Sequence, residues 1–152
     1  MTAITLEVIE AKQSELNTLI EQLRASTKAV IVEVPGANFQ LRPGERYAGI
    51  ELDESGEPLC HLILLPGYGE NLTWDEARQW ADAQGGVLPS RRAQSLLFAN
   101  CKQHLQPRWH WSCEEHEDDA SCAWYCFFGY GYQFIFLKSY RGSAVAVRRL
   151  SV

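Results

Sequence analysis

Bulky aromatic side chains in short, turn-punctuated segments are the feature that most constrains the fold of this chain. They are densest at residues 109–113 (Trp-His-Trp-Ser-Cys) and 123–129 (Ala-Trp-Tyr-Cys-Phe-Phe-Gly). Aromatic residues favour strands, where their rings pack on the pleated surface of a sheet. Residues 88–150 therefore predict β-structure built around large rings, and we expect the rest of the chain to support it.

Length and composition indicate one domain with an N-terminal extension. The chain has 152 residues, of which 46% are hydrophobic and 22% charged, as is typical of a soluble globular protein with one core. It lacks the apolar run of about 20 residues that spans a bilayer, so we expect no membrane insertion. The start lacks the pattern of a secretory signal, so we expect cytoplasmic synthesis. We predict an N-terminal helix at residues 1–28 and the main domain at 29–152.

The net charge bears on binding to nucleic acid, and the cysteine content bears on disulfide bonds. The net charge of −5 argues against direct binding to nucleic acid, since phosphate contacts require a clustered positive surface. Five cysteines in a chain without an export pattern are expected to be reduced thiols. We therefore predict no obligatory disulfides.

Residues 5–24 have the spacing of an amphipathic helix. Ile9, Leu16 and Leu23 stand seven residues apart, as in a coiled-coil seam, and Gln13 interrupts the neighbouring row. The helix would either pack on its own domain or join subunits as a homo-oligomer. Barely three heptads are marginal for a coiled coil, so we favour packing on the domain.

The middle of the chain predicts alternating strands and helices. The expected elements are a strand at 29–34, a hairpin of 46–52 and 59–65, a helix that ends near residue 84, and a second helix that ends before Pro107. Thr73 and Glu76 form a capping box for the first helix, and Ser90 caps the second. Arg91 and Arg92 would oppose the dipole of the second helix, so we expect a solvated pair unless a carboxylate or ligand holds them.

Several motifs, taken in order, resemble a protein family of unknown function that is common in phages and prophages. They are residues 88–93 (Leu-Pro-Ser-Arg-Arg-Ala), the segment 109–113, Ala123-Trp124, and residues 144–150 (Ala-Val-Ala-Val-Arg-Arg-Leu). That family is similar to the C-terminal domain of the Legionella collagen-like protein. The resemblance implies an α+β protein with a C-type lectin-like fold, as in formylglycine-generating enzymes, and an N-terminal amphipathic helix.

The resemblance also implies where the protein acts and how its sequence could vary. A phage protein of this kind would lie in the host cytoplasm or be associated with the virion. Some relatives with this fold are variable proteins of diversity-generating retroelements, in which Asn codons of the last strands are rewritten to alter a ligand-binding surface. The chain departs from the family pattern at Ser90, His110, Cys113 and Val145, where Thr, an aromatic residue, Ser and Arg are usual.

Ten residues form the predicted ligand-binding surface. Residues 125–143 hold more rings than strict alternation along strands would bury, so some rings should face a partner. The predicted surface consists of Trp109, Trp111, Tyr125, Phe127, Tyr130, Tyr132, Phe134, Phe136, Tyr140 and Arg141. The alternative is that these rings simply fill a small core.

The sequence offers candidate ligands for two metal cofactors, zinc and calcium. Cys113, His116, Cys122 and Cys126 are soft ligands that could close a tetrahedral zinc site, although buried structural thiols are the favoured interpretation. The acidic run 114–119 could supply oxygen ligands for calcium. It lacks the alternating ligands of a defined calcium loop, so a solvated loop is favoured.

Three functions remain open. We favour a non-enzymatic, phage- or prophage-encoded module that presents the aromatic surface to a macromolecular ligand, a protein above all. The second is a small acidic inhibitor of a host protein, such as a CRISPR-type defence nuclease, because its charge would suit a basic nucleic-acid groove. The third is a thiol- or metal-dependent enzyme of the formylglycine-generating type, but the cysteines lack the positive setting that activates a thiol.

Overall fold

The computed structural model describes residues 5–34 and 36–152, and these divide into two compact units, Met1–Pro43 and Gly44–Val152. In the first unit, helix α1 (Leu6–Thr27) is followed by the antiparallel strands β1 (Val30–Val34) and β2 (Ala37–Leu41). The helix predicted at the N-terminus is confirmed. None of its residues is buried, so the apolar stripe is exposed.

The second unit is a mixed α+β arrangement of two α-helices, one short 3-10 helix and eight strands within the described residues. In chain order it contains β3 (Arg46–Leu52), β4 (Pro58–Leu64), β5 (Gly69–Leu72), α2 (Trp74–Ala83), α3 (Arg91–Cys101), a short 3-10 helix (Lys102–His104), β6 (Trp109–Glu115), β7 (Cys122–Phe127), β8 (Tyr132–Leu137), β9 (Gly142–Ala144) and β10 (Val147–Leu150). The strands form a three-stranded sheet in the order β10-β4-β3 and a five-stranded sheet in the order β5-β9-β6-β7-β8. The expected α+β class is thus confirmed.

Both helices of the second unit begin where the sequence places their caps. The backbone N–H of Thr73 donates to the Glu76 carboxylate at 2.9 Å, and the Glu76 N–H donates to the Thr73 hydroxyl at 3.4 Å. The Ser90 hydroxyl accepts a hydrogen bond from the Ala93 N–H at 3.0 Å. The capping box and the second cap are confirmed, and they set where α2 and α3 start against the sheets.

The five-stranded sheet has a helix on each face. Helix α2 contacts β5, β9 and β6, whereas α3 contacts β6 and β7 and also reaches β3 and β4. Between them, residues 144–147 alternate sides: Ala144 and Ala146 join the apolar cluster under α2, while Val145 and Val147 join the cluster under α3. The alternating small and branched residues of this segment therefore link two halves of one core.

Buried ion pairs fix the last strand. The Arg148 guanidinium donates to both carboxylate oxygens of the buried Glu45, at 2.7 and 2.8 Å. This bonding raises the pKa of Arg148. The buried Glu51 carboxylate accepts a hydrogen bond from the Ser90 hydroxyl and lies 3.6 Å from the Arg149 guanidinium. Charges that sit in such low-dielectric sites persist only when they are paired, so β10 is held in one register.

All five cysteines are free thiols in this structure. Among the described residues, no helix combines the length and the apolar character needed to cross a membrane.

Candidate functional site: an aromatic surface on the five-stranded sheet

Strand pairing places the predicted aromatic residues on one face of the sheet in cross-strand rows. Trp109, Phe127 and Tyr132 lie opposite one another on β6, β7 and β8, and Trp111, Tyr125 and Phe134 form the next row. Directly paired residues project to the same face of an antiparallel sheet. Phe136, opposite Ala123, continues this face on β8.

Neighbouring rings are in contact along and between the rows. The ring centroids of Trp109 and Tyr125 are 4.2 Å apart in a stacked pair, and Tyr125 is 5.7 Å from Phe136. Phe136 in turn lies 4.2 Å from Tyr140. Such pairs add about 0.5–1.5 kcal/mol beyond the area that they bury, so the rings form one connected set.

A tight hairpin connects β7 to β8, and its turn belongs to this connected set of rings. The Gly131 N–H donates to the Phe127 carbonyl at 2.7 Å, and Gly131 has a φ of +79°, a conformation that L side chains rarely adopt. A Cβ at this position would also lie 2.8 Å from the Phe98 ring. Tyr130, at the tip of the turn, contacts both Phe127 and Tyr132, with ring centroids 5.7 and 5.8 Å away.

Exposure rises across the set from β6 to β8. Trp109, Phe127 and Phe136 are half-buried. The most exposed rings are Tyr130 at 71%, Tyr132 at 65%, Phe134 at 59% and Tyr140 at 51%. We define the aromatic surface as these seven residues. Exposed apolar patches of this kind are uncommon on monomeric proteins and commonly mark binding sites.

Two of the predicted surface residues belong to the core instead. Trp111 has no exposed surface and Tyr125 is 5% exposed, because both lie in the apolar cluster that contains Trp74 and Ala77 of α2. The Trp111 indole N–H donates to the Leu72 carbonyl at 3.0 Å, which satisfies its polar atom internally. A side chain without exposed area cannot contact a ligand, so the aromatic surface excludes both.

Arg141 is placed beside the surface but is held by its own chain. Its guanidinium donates to the Asn71 carbonyl at 2.7 Å and to the Glu76 carboxylate at 3.0 Å. Glu76 also belongs to the capping box of α2. Arg141 therefore ties the loop after β8 to the start of α2, and its charge is already paired.

The acidic run 114–119 is largely engaged within the fold. Four of its five carboxylates have partners: Glu114 accepts from the Arg91 backbone N–H, Glu115 lies 3.1 Å from the Lys138 ammonium, Glu117 accepts from the Trp124 indole at 3.3 Å, and Asp119 accepts from the Ser121 hydroxyl at 2.6 Å. The hydrogen bond from Ser121 lowers the pKa of Asp119. The run thus caps α3 and closes the β6–β7 turn.

Sequence reasoning missed a cluster on the opposite face of the sheet. The Arg91 guanidinium lies over the Trp124 ring, 3.5 Å from its centroid, and donates to the Gln133 side chain at 3.1 Å. The expectation of a solvated arginine pair is wrong for Arg91, because Trp124 and Gln133 contact its guanidinium and the Glu117 carboxylate lies 3.9 Å from it. The only hint in the sequence was the unfavourable place of a cation at a helix start.

The four predicted zinc ligands do not gather into a site. Cys122 and Cys126 lie four residues apart on one strand, about 13 Å along it, which is too far for one tetrahedral ion. Cys126 packs in the cluster under α3, and burial raises the pKa of its thiol to about 11. Across residues 5–34 and 36–152, no three His, Cys, Asp or Glu side chains are arranged to hold a metal ion.

Cys113 lies instead at a groove beside α2. This groove has a volume of about 620 Å³ and is lined by Asp75, Arg78, Gln79, Asp82, Val87 and Cys113, among others. Although part of Cys113 is exposed, desolvation raises the pKa of its thiol. The thiol is therefore protonated at neutral pH and is a poor nucleophile.

No protein-family model, curated protein or solved structure matches this chain.

Proposed function

We propose that this protein is a non-enzymatic binding module that uses the aromatic surface to bind a protein partner. The observation that carries the proposal is the exposure of Tyr130, Tyr132, Phe134 and Tyr140 beside rings that are buried or half-buried. Tyr and Phe give large contact areas with little loss of side-chain entropy, which is why they are frequent in protein-binding sites. A neighbouring core of stacked rings supports them in a rigid arrangement.

The proposal includes the finer identity suggested by the sequence motifs. The module would have a C-type lectin-like fold, be encoded by a phage or prophage, and act in the host cytoplasm or on the virion. A retroelement-diversified version predicts, near the gene, a reverse transcriptase and a near-copy of codons 120–150 that differs mainly at adenines. Absence of both would leave a fixed binding surface.

An acidic inhibitor is the weaker candidate. Its motivation was the net charge of −5 together with the acidic run, yet four of the five carboxylates of the run already bind groups of the same chain. An enzyme of the thiol type is weaker still, since burial raises the pKa of the Cys101, Cys113 and Cys126 thiols. Both arguments favour the aromatic surface.

The test is affinity measurement on a partner captured from cells that carry the gene and then purified. Phe134→Ala and Tyr132→Ala should each weaken binding by about 2 kcal/mol, as for residues central to an interface. Tyr68→Ala is the matched control, because Tyr68 is an aromatic residue exposed to 50% outside the aromatic surface. Unchanged affinity for both surface variants, or binding that disappears at high salt, would contradict the proposal.

A further inference from the structure

Strand β8 is an unusual edge of the five-stranded sheet. Its sequence, Tyr-Gln-Phe-Ile-Phe-Leu, contains no charge, proline or glycine, and it pairs with β7 without a bulge. The other outer strands of the second unit all carry charges, namely Glu70 on β5, Arg46 and Glu51 on β3, and Arg148 and Arg149 on β10, and the pairings of β5 and β3 also have register shifts. Natural proteins use charges and bulges of this kind to keep edges from pairing.

The hydrogen-bond phase shows which groups of β8 are available. The Lys138 N–H donates to the Ser121 carbonyl at 2.9 Å, so this pair is a hydrogen-bonded one. Alternation along the strand then makes Tyr132, Phe134 and Phe136 the hydrogen-bonded partners of β7. The N–H and C=O groups of Gln133 and Ile135 therefore point away from the sheet.

We propose that β8 pairs with β8 of a second copy of this chain, antiparallel and across a two-fold axis. A strand that meets itself must avoid like charges, and β8 has none. Isologous pairing of this kind is the usual geometry of homodimers. It would satisfy the outward backbone groups of Gln133 and Ile135 with the same groups of the second copy.

One outward backbone group of β8 is already hydrogen-bonded within the chain, and this limits the register in which two copies can pair. The Leu137 carbonyl accepts a hydrogen bond from the Tyr140 N–H at 2.9 Å, so pairing should be centred to avoid it. When the two-fold axis passes through Phe134, Gln133 of each copy lies opposite Ile135 of the other. These two pairs form four backbone hydrogen bonds. The same register places Phe134 opposite Phe134 of the second copy.

Pairing at the edge leaves the faces of the sheet free. The two aromatic surfaces would become one continuous surface of twice the area, and the dimer would bind a repetitive partner at two points. This inference does not rest on the proposed function. The chain could dimerise through β8 without using its rings to bind another protein.

Amide hydrogen exchange of the full chain, followed by NMR across a dilution series, tests the pairing. The Gln133 and Ile135 amides should exchange at least about tenfold more slowly in concentrated than in dilute protein. Because this readout is local to β8, association through α1 would not imitate it. Rapid exchange of both amides at every concentration would overturn the proposal.

Two variants sharpen the result. Phe134→Lys places a charge directly opposite the same charge of the second copy, at a residue that is 59% exposed, and Leu59→Lys introduces the same charge at 49% exposure away from β8. Only the first should abolish the concentration-dependent protection. Ile135→Pro removes an outward N–H and should do the same if it folds. Retained protection in Phe134→Lys would also refute pairing through β8.

Discussion

One row of rings crosses three strands and passes from core to surface. Trp111 on β6 has no exposed area, Tyr125 on β7 has 5%, and Phe134 on β8 has 59%. The three residues share a face and differ in what lies above them, because Trp111 and Tyr125 belong to the apolar cluster that contains Trp74 and Ala77 of α2, whereas Phe134 does not. An aromatic residue on a strand is thus a core residue or a surface residue according to where the covering helix ends.

The inner end of the row should be the most sensitive to truncation. Trp111→Ala removes a fully buried ring and leaves the Leu72 carbonyl without its indole donor. We expect the free energy of unfolding to fall by about 3–5 kcal/mol, measured by chemical denaturation. A loss below about 1 kcal/mol would show that α2 does not cover this ring.

The opposite face of β6 offers a pH test of burial. His110 is fully buried, and desolvation lowers its pKa from 6.5 to about 4. Above pH 6.5, the pKa of histidine in the unfolded state, the stabilising contribution of the neutral, buried His110 is complete. It is lost as the pH falls from 6.5 towards 4, because the unfolded state gains the proton readily and the folded state does not. The loss would be about 3 kcal/mol at most.

The variant that isolates this residue is His110→Phe. Its free energy of unfolding should depend less on pH between 6.5 and 4 than that of the original protein, whereas the carboxylates contribute equally to both. Identical pH profiles would mean that His110 is accessible to protons in the folded state.

The half-buried edge of the row should give an intermediate effect. Phe136 contacts Tyr125 on one side and Tyr140 on the other, with ring centroids 5.7 and 4.2 Å away. We expect Phe136→Ala to cost about 1–2 kcal/mol of stability, since only part of the ring is removed from water. A cost equal to that of Trp111→Ala would extend the core to β8.

Local patterns were sufficient for most of the secondary structure. The two helix caps of the second unit, the hairpin of β3 and β4, and the helix α1 follow from short-range rules that act within a few residues. Alternation also placed the rings of β6, β7 and β8 on strands. These features depend on nearest neighbours in sequence, which is why one sequence suffices.

The position of α2 over the sheet could not be predicted from the sequence. Trp111 and Phe134 have similar surroundings in sequence, but only one lies under the helix. The partners of the acidic run were hidden for the same reason, since Arg91 and Lys138 meet it from distant parts of the chain. Long-range packing decided both.

The most direct test of the account is the stability of Phe134→Ala, measured by denaturation beside the original protein. We expect a change within about 1 kcal/mol, because an exposed ring contributes little to folding and is available to a partner. A loss of about 3 kcal/mol or more would place Phe134 in the core and remove the basis for the aromatic surface.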